Sequence, residues 1–230
     1  MEQKYICGKN SVLDAIENGI AIKKIYVIKL PNFNTRNIKI KIVSKHFLDN
    51  LTDLNHQGIV AILEERFDYH DFEKMIKEKP DIILVLDHIM DPQNLGAILR
   101  VANGSGVNNI ILPRDRSAQI NDVVLKVSSG GFAGLNISRV NSLQSALEKL
   151  KNIGYWIYAS AIEKGNNFQK IKYNLPMVIV VGNEAKGVSK TILNISDQNI
   201  FIPMYGSVQS LNVSVATGIL LYEIIKHKNF

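Results

Sequence analysis

The rear two thirds of the sequence contains short apolar runs that recur with helix-forming stretches between them. After residue 80 the apolar runs occupy 82–86, 109–112, 155–159, 178–181 and 199–202. Runs that are apolar at nearly every position are typical of strands buried on both faces of a parallel sheet. The stretches with helical spacing are 94–104, 121–128, 142–152 and 213–228. This alternation predicts an α/β fold with a mostly parallel sheet that helices cover on both sides.

The first part of the chain has shorter elements and a different organisation. Helices are predicted at 11–18 and 44–50, the second capped by Ser44, and strands at 25–28, 38–42 and 59–63. A charged stretch with one amphipathic helix follows, at 72–77. We therefore predict three parts, which are a small α/β domain (1–66), a linker (67–80) and a larger α/β domain (81–230).

Charge and cysteine content limit the classes of function. The formal net charge of +6 and the pI of about 9.2 favour an acidic partner such as nucleic acid. Residues 1–67 carry +3 and the remaining residues also carry +3, so the excess is not confined to one tail and an ordinary solvated surface explains it about equally well. The one cysteine, Cys7, excludes an internal disulfide framework and a multi-cysteine metal site. Because no apolar leader or membrane-length apolar run occurs, we expect a cytoplasmic protein.

A glycine-punctuated loop follows the apolar run at 178–181. Gly182 and Gly187 have the spacing of a phosphate-binding loop, but that motif requires lysine where this chain has Val188. The sequence therefore argues against an NTPase site. The three-glycine pattern of dinucleotide-binding folds is also missing after Leu86. A tight turn between a strand and a helix is the structural alternative for this loop.

A second polar cluster lies just after the first apolar run. Asp91-Pro92 begins a turn, Asn94 is a candidate helix N-cap, and Arg100 follows six residues later. A capped helix with an ordinary surface arginine is the structural alternative for these residues. A functional pair would need the long arginine side chain to reach back over the first turns of the helix.

A third polar cluster precedes the last helix. Ser210 and Asn212 are both good N-cap residues, so capping explains part of the pattern. Capping does not explain the irregular stretch 203–211, and long irregular loops inside compact domains are more often functional. Because ligands on parallel sheets bind beyond the carboxyl ends of the strands, we expect the three clusters to form one composite site.

Taken together, the three clusters resemble the motifs of a known enzyme family. Their patterns are Asn-x-Gly-x-x-x-Arg from residue 94, Gly-Asn-Glu-x-x-Gly from 182, and Ile-Pro-Met-x-Gly-x-x-x-Ser-Leu-Asn-Val-Ser from 202. This set resembles the SpoU/TrmH family of RNA ribose 2′-O-methyltransferases, within the SPOUT superfamily. The resemblance covers residues 82–226 and implies a trefoil-knotted domain. Residues 5–64 are similar to the L30e-like substrate-binding domain of ribosomal members of the family.

The resemblance implies a methyl donor, a substrate and a set of site residues. The donor would be S-adenosylmethionine, the substrate a guanosine of 23S rRNA, and no metal would be needed. The implied active-site residues are Arg100 as the catalytic residue, Asn94 to orient it, and Glu184, Ser210 and Asn212. The implied cofactor contacts are Gly182, Ile202, Met204 and Leu211. Glycine at position 182 is interpreted as allowing a close approach of the backbone.

Partners and alternatives follow from the same resemblance. Family members are homodimers, and the apolar last helix would suit an interface or a core equally well, through Val215, Ile219, Leu220 and Tyr222. Candidate contacts to RNA phosphates, each also explicable as a surface charge, are Lys9, Arg114, Arg116, Lys126 and Lys186. The alternative functions are ribose methylation of tRNA and RNA binding with a lapsed catalytic site. Two departures from the family pattern are Ala185 in place of glycine and a polar loop instead of a helix between Leu30 and Ile38.

Overall fold

The computed structural model describes residues 5–17, 19–63, 69–161 and 165–226. The predicted boundary between residues 66 and 67, and the predicted helix ends at Asn18 and Lys228, lie outside these ranges. The boundaries of the two domains and the linker stay a prediction. Within the described ranges, no helix is both long and apolar enough to cross a lipid bilayer.

The front of the chain forms a small sheet with helices packed against it. Its elements in chain order are β1 (Tyr5–Cys7), α1 (Lys9–Glu17), β2 (Ile22–Val27), β3 (Ile40–Ile42), α2 (Lys45–Leu51) and β4 (Ile59–Leu63). In the described residues, this sheet has the order β1-β4-β2-β3, with β3 parallel to β2 and the other pairs antiparallel. The predicted cap is confirmed, since Ser44 Oγ accepts a hydrogen bond from Phe47 N. The sequence interpretation did not predict strand β1, but it did predict the polar loop before β3.

The rest of the chain forms one parallel sheet. Its helices are α3 (Phe72–Lys77), α4 (Pro92–Gly104), α5 (Asp122–Ser128), α6 (Leu143–Asn152), the 3₁₀ turn Phe168–Lys170, α7 (Lys190–Ile195) and α8 (Val213–Lys226). Its strands are β5 (Ile82–Asp87), β6 (Asn109–Pro113), β7 (Asn136–Val140), β8 (Trp156–Ser160), β9 (Asn166–Asn167), β10 (Met177–Gly182) and β11 (Gln198–Phe201). Over the described residues the strand order is β7-β6-β5-β10-β8-β11-β9, and every pair is parallel.

The two faces of the larger sheet are buried in separate apolar clusters, which confirms the predicted two-sided cover. Leu84 and Leu86 of β5 face a cluster with residues of α4, α5 and α8, whereas Ile83 and Val85 face a cluster with residues of α3, α6 and α7. Every residue of β5 is buried as a result. The trefoil knot that the resemblance implies stays a prediction.

Three elements of this sheet and its cover were missed in the sequence interpretation. Strand β7 has the sequence Asn-Ile-Ser-Arg-Val, so it lacks the continuous apolar run that marked its neighbours. Strand β9 has only two residues, both asparagine. Helix α7 has six residues, too few for a clear helical period. In addition, the N-cap of α4 is Asp91 and not Asn94, because the Asp91 carboxylate accepts a hydrogen bond from Gln93 N.

The front sheet is docked against the larger domain through α5. Ile6 and Val12 belong to the same apolar cluster as Leu125 of α5, so the core is continuous between the two parts. Two polar contacts accompany this packing, from Tyr5 N to Asp122 Oδ1 and from Ser11 Oγ to the Lys126 carbonyl, each at 3.5 Å. Because α5 also packs closely on α4, the front domain lies one helix away from the helix that carries Asn94 and Arg100.

Candidate active site

The loop after β10 is closed by backbone hydrogen bonds. Asn183 and Gly187 exchange N–H···O bonds of 3.1 and 2.8 Å, and Asn183 Oδ1 accepts from the N–H groups of Ala185 and Lys186. A Cβ atom at Gly182 would lie 2.1 Å from Gly187 C and from Val188 N. Glycine is therefore required at 182 so that the loop can close on its own backbone. The close approach that the structure shows at Gly182 is that of the loop's own backbone, and the predicted cofactor contact at Gly182 stays a prediction.

A buried carboxylate holds this loop against the end of β5. Asp87 is 1% exposed, and its Oδ2 accepts a hydrogen bond from Ser189 N at 2.7 Å. Its Oδ1 lies 2.5 Å from His88 Nδ1, and the His88 carbonyl accepts from Asn183 Nδ2 at 2.9 Å. His88 has a φ of +61°, a left-handed conformation that few residues with side chains adopt. These two residues were missed, although a carboxylate that ends an apolar run was a visible signal.

A line of side-chain hydrogen bonds joins the three sequence clusters. Asn212 Nδ2 donates to Asn94 Oδ1 at 2.9 Å, and Asn94 Nδ2 donates to Glu184 Oε1 at 3.0 Å. The second carboxylate oxygen of Glu184 accepts from Asn183 Nδ2 at 3.3 Å. Asn212 Oδ1 also accepts from Ser214 N at 2.8 Å and so caps α8. The capping interpretation of Asn212 is therefore confirmed, and its predicted role in an active site stays a prediction.

Arg100 lies apart from this line. It is exposed on α4, and in the described part of the chain no hydrogen bond joins its guanidinium to Asn94 or Glu184. Its backbone is tightly packed, because a Cβ atom at Gly131 would lie 2.7 Å from Arg100 Cα. Burial and Glu17 raise the pKa of Asp14 in the front domain, and the Arg100 charge acts in the opposite direction. The predicted orientation of Arg100 by Asn94 is thus not made within one copy of the chain.

Beside the hydrogen-bonded line is an open cleft at the carboxyl ends of β8, β10 and β11. It encloses about 670 Å³, counting its solvent-open mouth. All four residues predicted to contact the cofactor line it, together with Glu184 and Ser210, and the lining residues that the sequence interpretation missed include Ser160, Ala161, Gln209 and Ala216. Apolar walls with a few polar groups are typical of a small-molecule site. Ile202, Met204 and Leu211 could flank a flat heterocycle, so the residues present fit an adenine-containing cofactor.

The charges around the cleft are mixed and mostly exposed. Lys186 lies on the loop after β10, and Arg114 and Arg116 lie on the loop after β6 at the same edge of the sheet. Lys9 and Lys126 lie instead near the contact between α1 and α5. Among the residues that the structure describes, no group of three or more His, Cys, Asp or Glu side chains is arranged to hold a metal ion.

Comparison with known families assigns both parts of the chain. Residues 81–222 match the SpoU rRNA Methylase family, and residues 5–68 match the family described as RNA 2′-O ribose methyltransferase substrate binding. A protein of Staphylococcus saprophyticus named as a TrmH family tRNA/rRNA methyltransferase is 35% identical over 247 residues, which cover 100% of this chain and 98% of that protein.

Solved structures give the same picture. An AdoMet-bound rRNA methyltransferase from Sinorhizobium meliloti has a TM-score of 0.82 and 25% identity, covering 99% of this chain and 88% of that one. A TrmH/SpoU tRNA modifying enzyme of A. aeolicus has a TM-score of 0.60 and 36% identity, covering 68% of this chain and 84% of that one. The SpoU methyltransferase AviRb of Streptomyces viridochromogenes, at 22% identity and a TM-score of 0.80, has the same fold over 97% of this chain and 90% of its own.

Proposed function

Because the chain belongs to the SpoU/TrmH family of RNA methyltransferases, which use S-adenosylmethionine, we propose that it methylates the ribose 2′-hydroxyl of a guanosine in 23S rRNA. The protein it would most resemble in activity is RlmB, the 23S rRNA guanosine 2′-O-methyltransferase. The observation that carries the proposal is the line Asn212–Asn94–Glu184, which lies along the cleft lined by Gly182, Met204 and Leu211.

The chemistry requires a positioned donor and a ribose oxygen that can accept a methyl group. S-adenosylmethionine supplies that methyl group from its sulfonium when it is bound. Ile202, Met204 and Leu211 would hold the adenosine part, and Ser210 and Glu184 at the cleft wall would orient the nucleotide. Holding the two reactants in line and excluding water lowers the barrier without any metal.

Arg100 would act on the reacting oxygen as a cation. A guanidinium stays protonated because its pKa exceeds about 12, so stabilising the developing alkoxide and the neighbouring phosphate suits it better than acting as a base. Within one copy Arg100 is exposed and apart from Asn94. We therefore propose a homodimer in which a second copy completes the site around Arg100.

The last helix supports this homodimer. Val215 and Tyr222 are 51% and 58% exposed, and Met90 beside α4 is 60% exposed. Leu220 is fully buried in the core, and Ile219 is half-buried and packs against it, so the predicted interface role is supported for only part of the helix. Large exposed apolar side chains on neighbouring elements favour association with another protein surface.

The front domain supports a ribosomal substrate. The rRNA methyltransferase of Sinorhizobium meliloti aligns with 99% of this chain, whereas the tRNA modifying enzyme of A. aeolicus aligns with 68%. A structure concerning 2-OH methylation of C/U34 on tRNA covers 64% of this chain. The solved structure named for rRNA therefore matches more of this chain than those named for tRNA, which supports rRNA, and tRNA is the second candidate because a full-length relative is named as a tRNA/rRNA methyltransferase.

The decisive experiment offers labelled S-adenosylmethionine with unmodified 23S rRNA and with unmodified tRNA, and maps ribose methylation. We expect label at a guanosine of 23S rRNA, and label only in tRNA would overturn the substrate. Arg100→Ala should keep cofactor affinity within about twofold and lower turnover by at least about 100-fold. An active Arg100→Ala enzyme would contradict its catalytic role, and a wild-type chain that binds no S-adenosylmethionine in calorimetry would favour a lapsed site.

A further inference from the structure

The positive charge of the front domain is concentrated in one segment. Residues 19–48 contain seven basic residues and no Asp or Glu, and the basic residues are Lys23, Lys24, Lys29, Arg36, Lys39, Lys41 and Lys45. The segment's formal charge therefore exceeds the net charge of +6 of the whole chain. A one-sign segment of this size produces a local field that attracts a polyanion. The sequence interpretation missed this segment because it compared only the totals of residues 1–67 and of the remainder, which are both +3.

The structure gathers part of this charge around two aromatic rings. Tyr26 of β2 and Phe47 of α2 have ring centroids 5.1 Å apart, and Lys24 Nζ lies 5.6 Å from the Tyr26 centroid. Lys41 of β3 pairs directly with Tyr26 in the sheet register. Lys39 lies just before β3, and its carbonyl accepts a hydrogen bond from Ile25 N of β2 at 2.8 Å. We call these five residues, Lys24, Tyr26, Lys39, Lys41 and Phe47, the basic aromatic face.

Of the two rings, Tyr26 is partly buried and packs against the core cluster beneath it, so Phe47 is the ring that the core does not explain. The fully buried residue of α2 is Leu48, which packs with Cys7, Val60 and Ile62, while Phe47 is 40% exposed. Lysines on an exposed edge strand such as β3 can serve to prevent strand pairing. That role accounts for Lys41 but not for the exposed ring of Phe47.

Acidic groups near the face do not neutralise it. The nearest acidic residue in sequence is Asp49 of α2, and its carboxylate is 3.0 Å from His56 Nε2. The His56 Nδ1 accepts a hydrogen bond from Gly58 N at 2.9 Å, so the ring donates to Asp49 through Nε2. The Asp49 carboxylate is therefore occupied by the His56 ring.

We propose that the basic aromatic face binds an unpaired segment of the RNA substrate. Unstacked bases would lie on the rings of Phe47 and Tyr26, and phosphates would lie against Lys24, Lys39 and Lys41. Aromatic rings interleaved with cations are the pattern that binds single-stranded nucleic acid, because every base has a flat face to stack. In a duplex the base faces are stacked inside the helix, so a duplex could contact the lysines through its phosphates but could not stack on the rings. This role rests on the proposed RNA substrate. It specifies the surface that binds the RNA and the single-stranded form of the RNA that is bound.

The test measures binding of the whole chain to fluorescein-labelled RNA by anisotropy, over a range of NaCl concentrations. The probes are an oligouridylate of about 12 nucleotides and an RNA duplex of the same length. Phe47→Ala should weaken binding of the single strand by about tenfold and change binding of the duplex by less than about twofold. Phe47→Leu keeps an apolar side chain beside Tyr26 and should show the same selective loss.

The charge contribution is tested by a pair of lysines. The double variant Lys39→Ala/Lys41→Ala should reduce the slope of log affinity against log salt by about 1.4 for the single strand, since each neutralised phosphate contributes about 0.7. The matched control is Lys170→Ala/Lys172→Ala, two exposed lysines with the same spacing on the rear domain. The aromatic control is Trp156→Ala. It removes a ring that is 42% exposed at the amino-terminal end of β8 in the larger sheet.

Several outcomes would overturn the inference. If both Phe47 variants lost equal affinity for the single strand and for the duplex, base stacking on the rings would be contradicted and only the charge of the face would remain. An unchanged affinity combined with a change in sedimentation would assign the rings to a protein contact. Equal slopes for the two lysine pairs would show that the charge acts without a local site. Calorimetry with S-adenosylmethionine and the rRNA methylation assay separate the two proposals, because a chain without methylation activity can still show the Phe47 selectivity.

Discussion

The carboxylate of Asp87 accepts a hydrogen bond from the backbone N–H of Ser189 at 2.7 Å, across 102 residues of sequence. The contact connects the end of β5 to the far end of the loop that carries Glu184. Asp87 also contacts His88 Nδ1, and both contacts are buried from solvent on the Asp87 side. Hydrogen bonds to an ionised acceptor in a buried place are stronger than neutral ones. The position of Glu184 beside the cleft therefore depends on a residue outside the three motifs.

Asp87→Asn tests this dependence. The amide offers one oxygen where two donors need acceptors, so its NH₂ group would face either Ser189 N–H or His88. We expect a loss of about 1–3 kcal/mol in the free energy of unfolding and a weakening of S-adenosylmethionine binding by about tenfold. Urea unfolding and calorimetry measure the two effects. The control is Asp91→Asn, because asparagine caps helices as well as aspartate, and it should be neutral in both assays.

Gly131→Ala tests the packing of Arg100. The added methyl group would lie 2.7 Å from Arg100 Cα and 2.9 Å from the Ser128 carbonyl, so α4 or the turn after α5 must move. Overpacking of this kind costs about 1–3 kcal/mol. Since the movement displaces Arg100, we expect kcat to fall by at least about tenfold while calorimetric affinity for S-adenosylmethionine stays within about twofold.

The control for Gly131 is a nearby glycine with open space around it. Gly134→Ala adds a methyl group with no heavy atom within 4 Å, and its φ of +75° makes the change strained for a local reason only. It should lower stability without lowering kcat. If Gly134→Ala reduced kcat as much as Gly131→Ala, general destabilisation rather than displacement of Arg100 would explain both results.

Much of the fold followed from local sequence. The continuous apolar runs predicted β5, β6, β8, β10 and β11, and the resulting strand ends gathered the three clusters at one edge, as expected. Among the elements that were missed, β7 and β9 are held by pairing with neighbours and not by their own composition. Pairing across many residues leaves no periodic mark in the segment itself.

The site was predicted in its composition more than in its connections. The sequence placed Asn94, Glu184 and Asn212 in one site, and the structure joins them by direct hydrogen bonds. It also suggested that Arg100 reaches back to Asn94, which the structure does not show within one copy. The partner of a long surface side chain depends on what lies against it in space, and a single sequence does not contain that information. Asp87 was visible as a carboxylate at the end of an apolar run, but its contact with Ser189 depends on the same spatial information.

Ala185→Gly tests the departure from the family pattern, which has glycine at this position. Ala185 lies outside the left-handed region, its side chain is exposed, and its N–H donates to Asn183 Oδ1 at 3.0 Å. The methyl group therefore introduces no backbone strain that glycine would relieve. We expect S-adenosylmethionine affinity and kcat within about twofold of wild type, and a small loss of stability of about 0.4–1 kcal/mol from the freer unfolded chain. A clear rise in kcat would show that alanine impairs the site.

Alkaline pH should destabilise the fold, and Cys7 should set where the loss begins. Burial raises the pKa of the Cys7 thiol, and burial likewise raises the pKa values of Tyr155, Tyr158 and Tyr173. The folded state keeps these groups protonated, whereas the unfolded chain releases their protons near pH 8.5 for cysteine and near 10 for tyrosine. Above those values the unfolded state binds fewer protons than the folded state, so the free energy of unfolding falls as pH rises.

Urea unfolding at about pH 7.5, 9 and 10 measures this loss. Wild type should be constant below about pH 8 and should decline from about pH 8.5 onward. Cys7→Ala removes the group that titrates first, so its stability, lower at neutral pH because of the lost buried sulfur, should stay level until the tyrosines titrate near pH 10. Parallel curves for the two proteins from pH 7.5 to 9 would show that Cys7 ionises in the folded state as readily as in the unfolded chain, against the direction that its burial predicts.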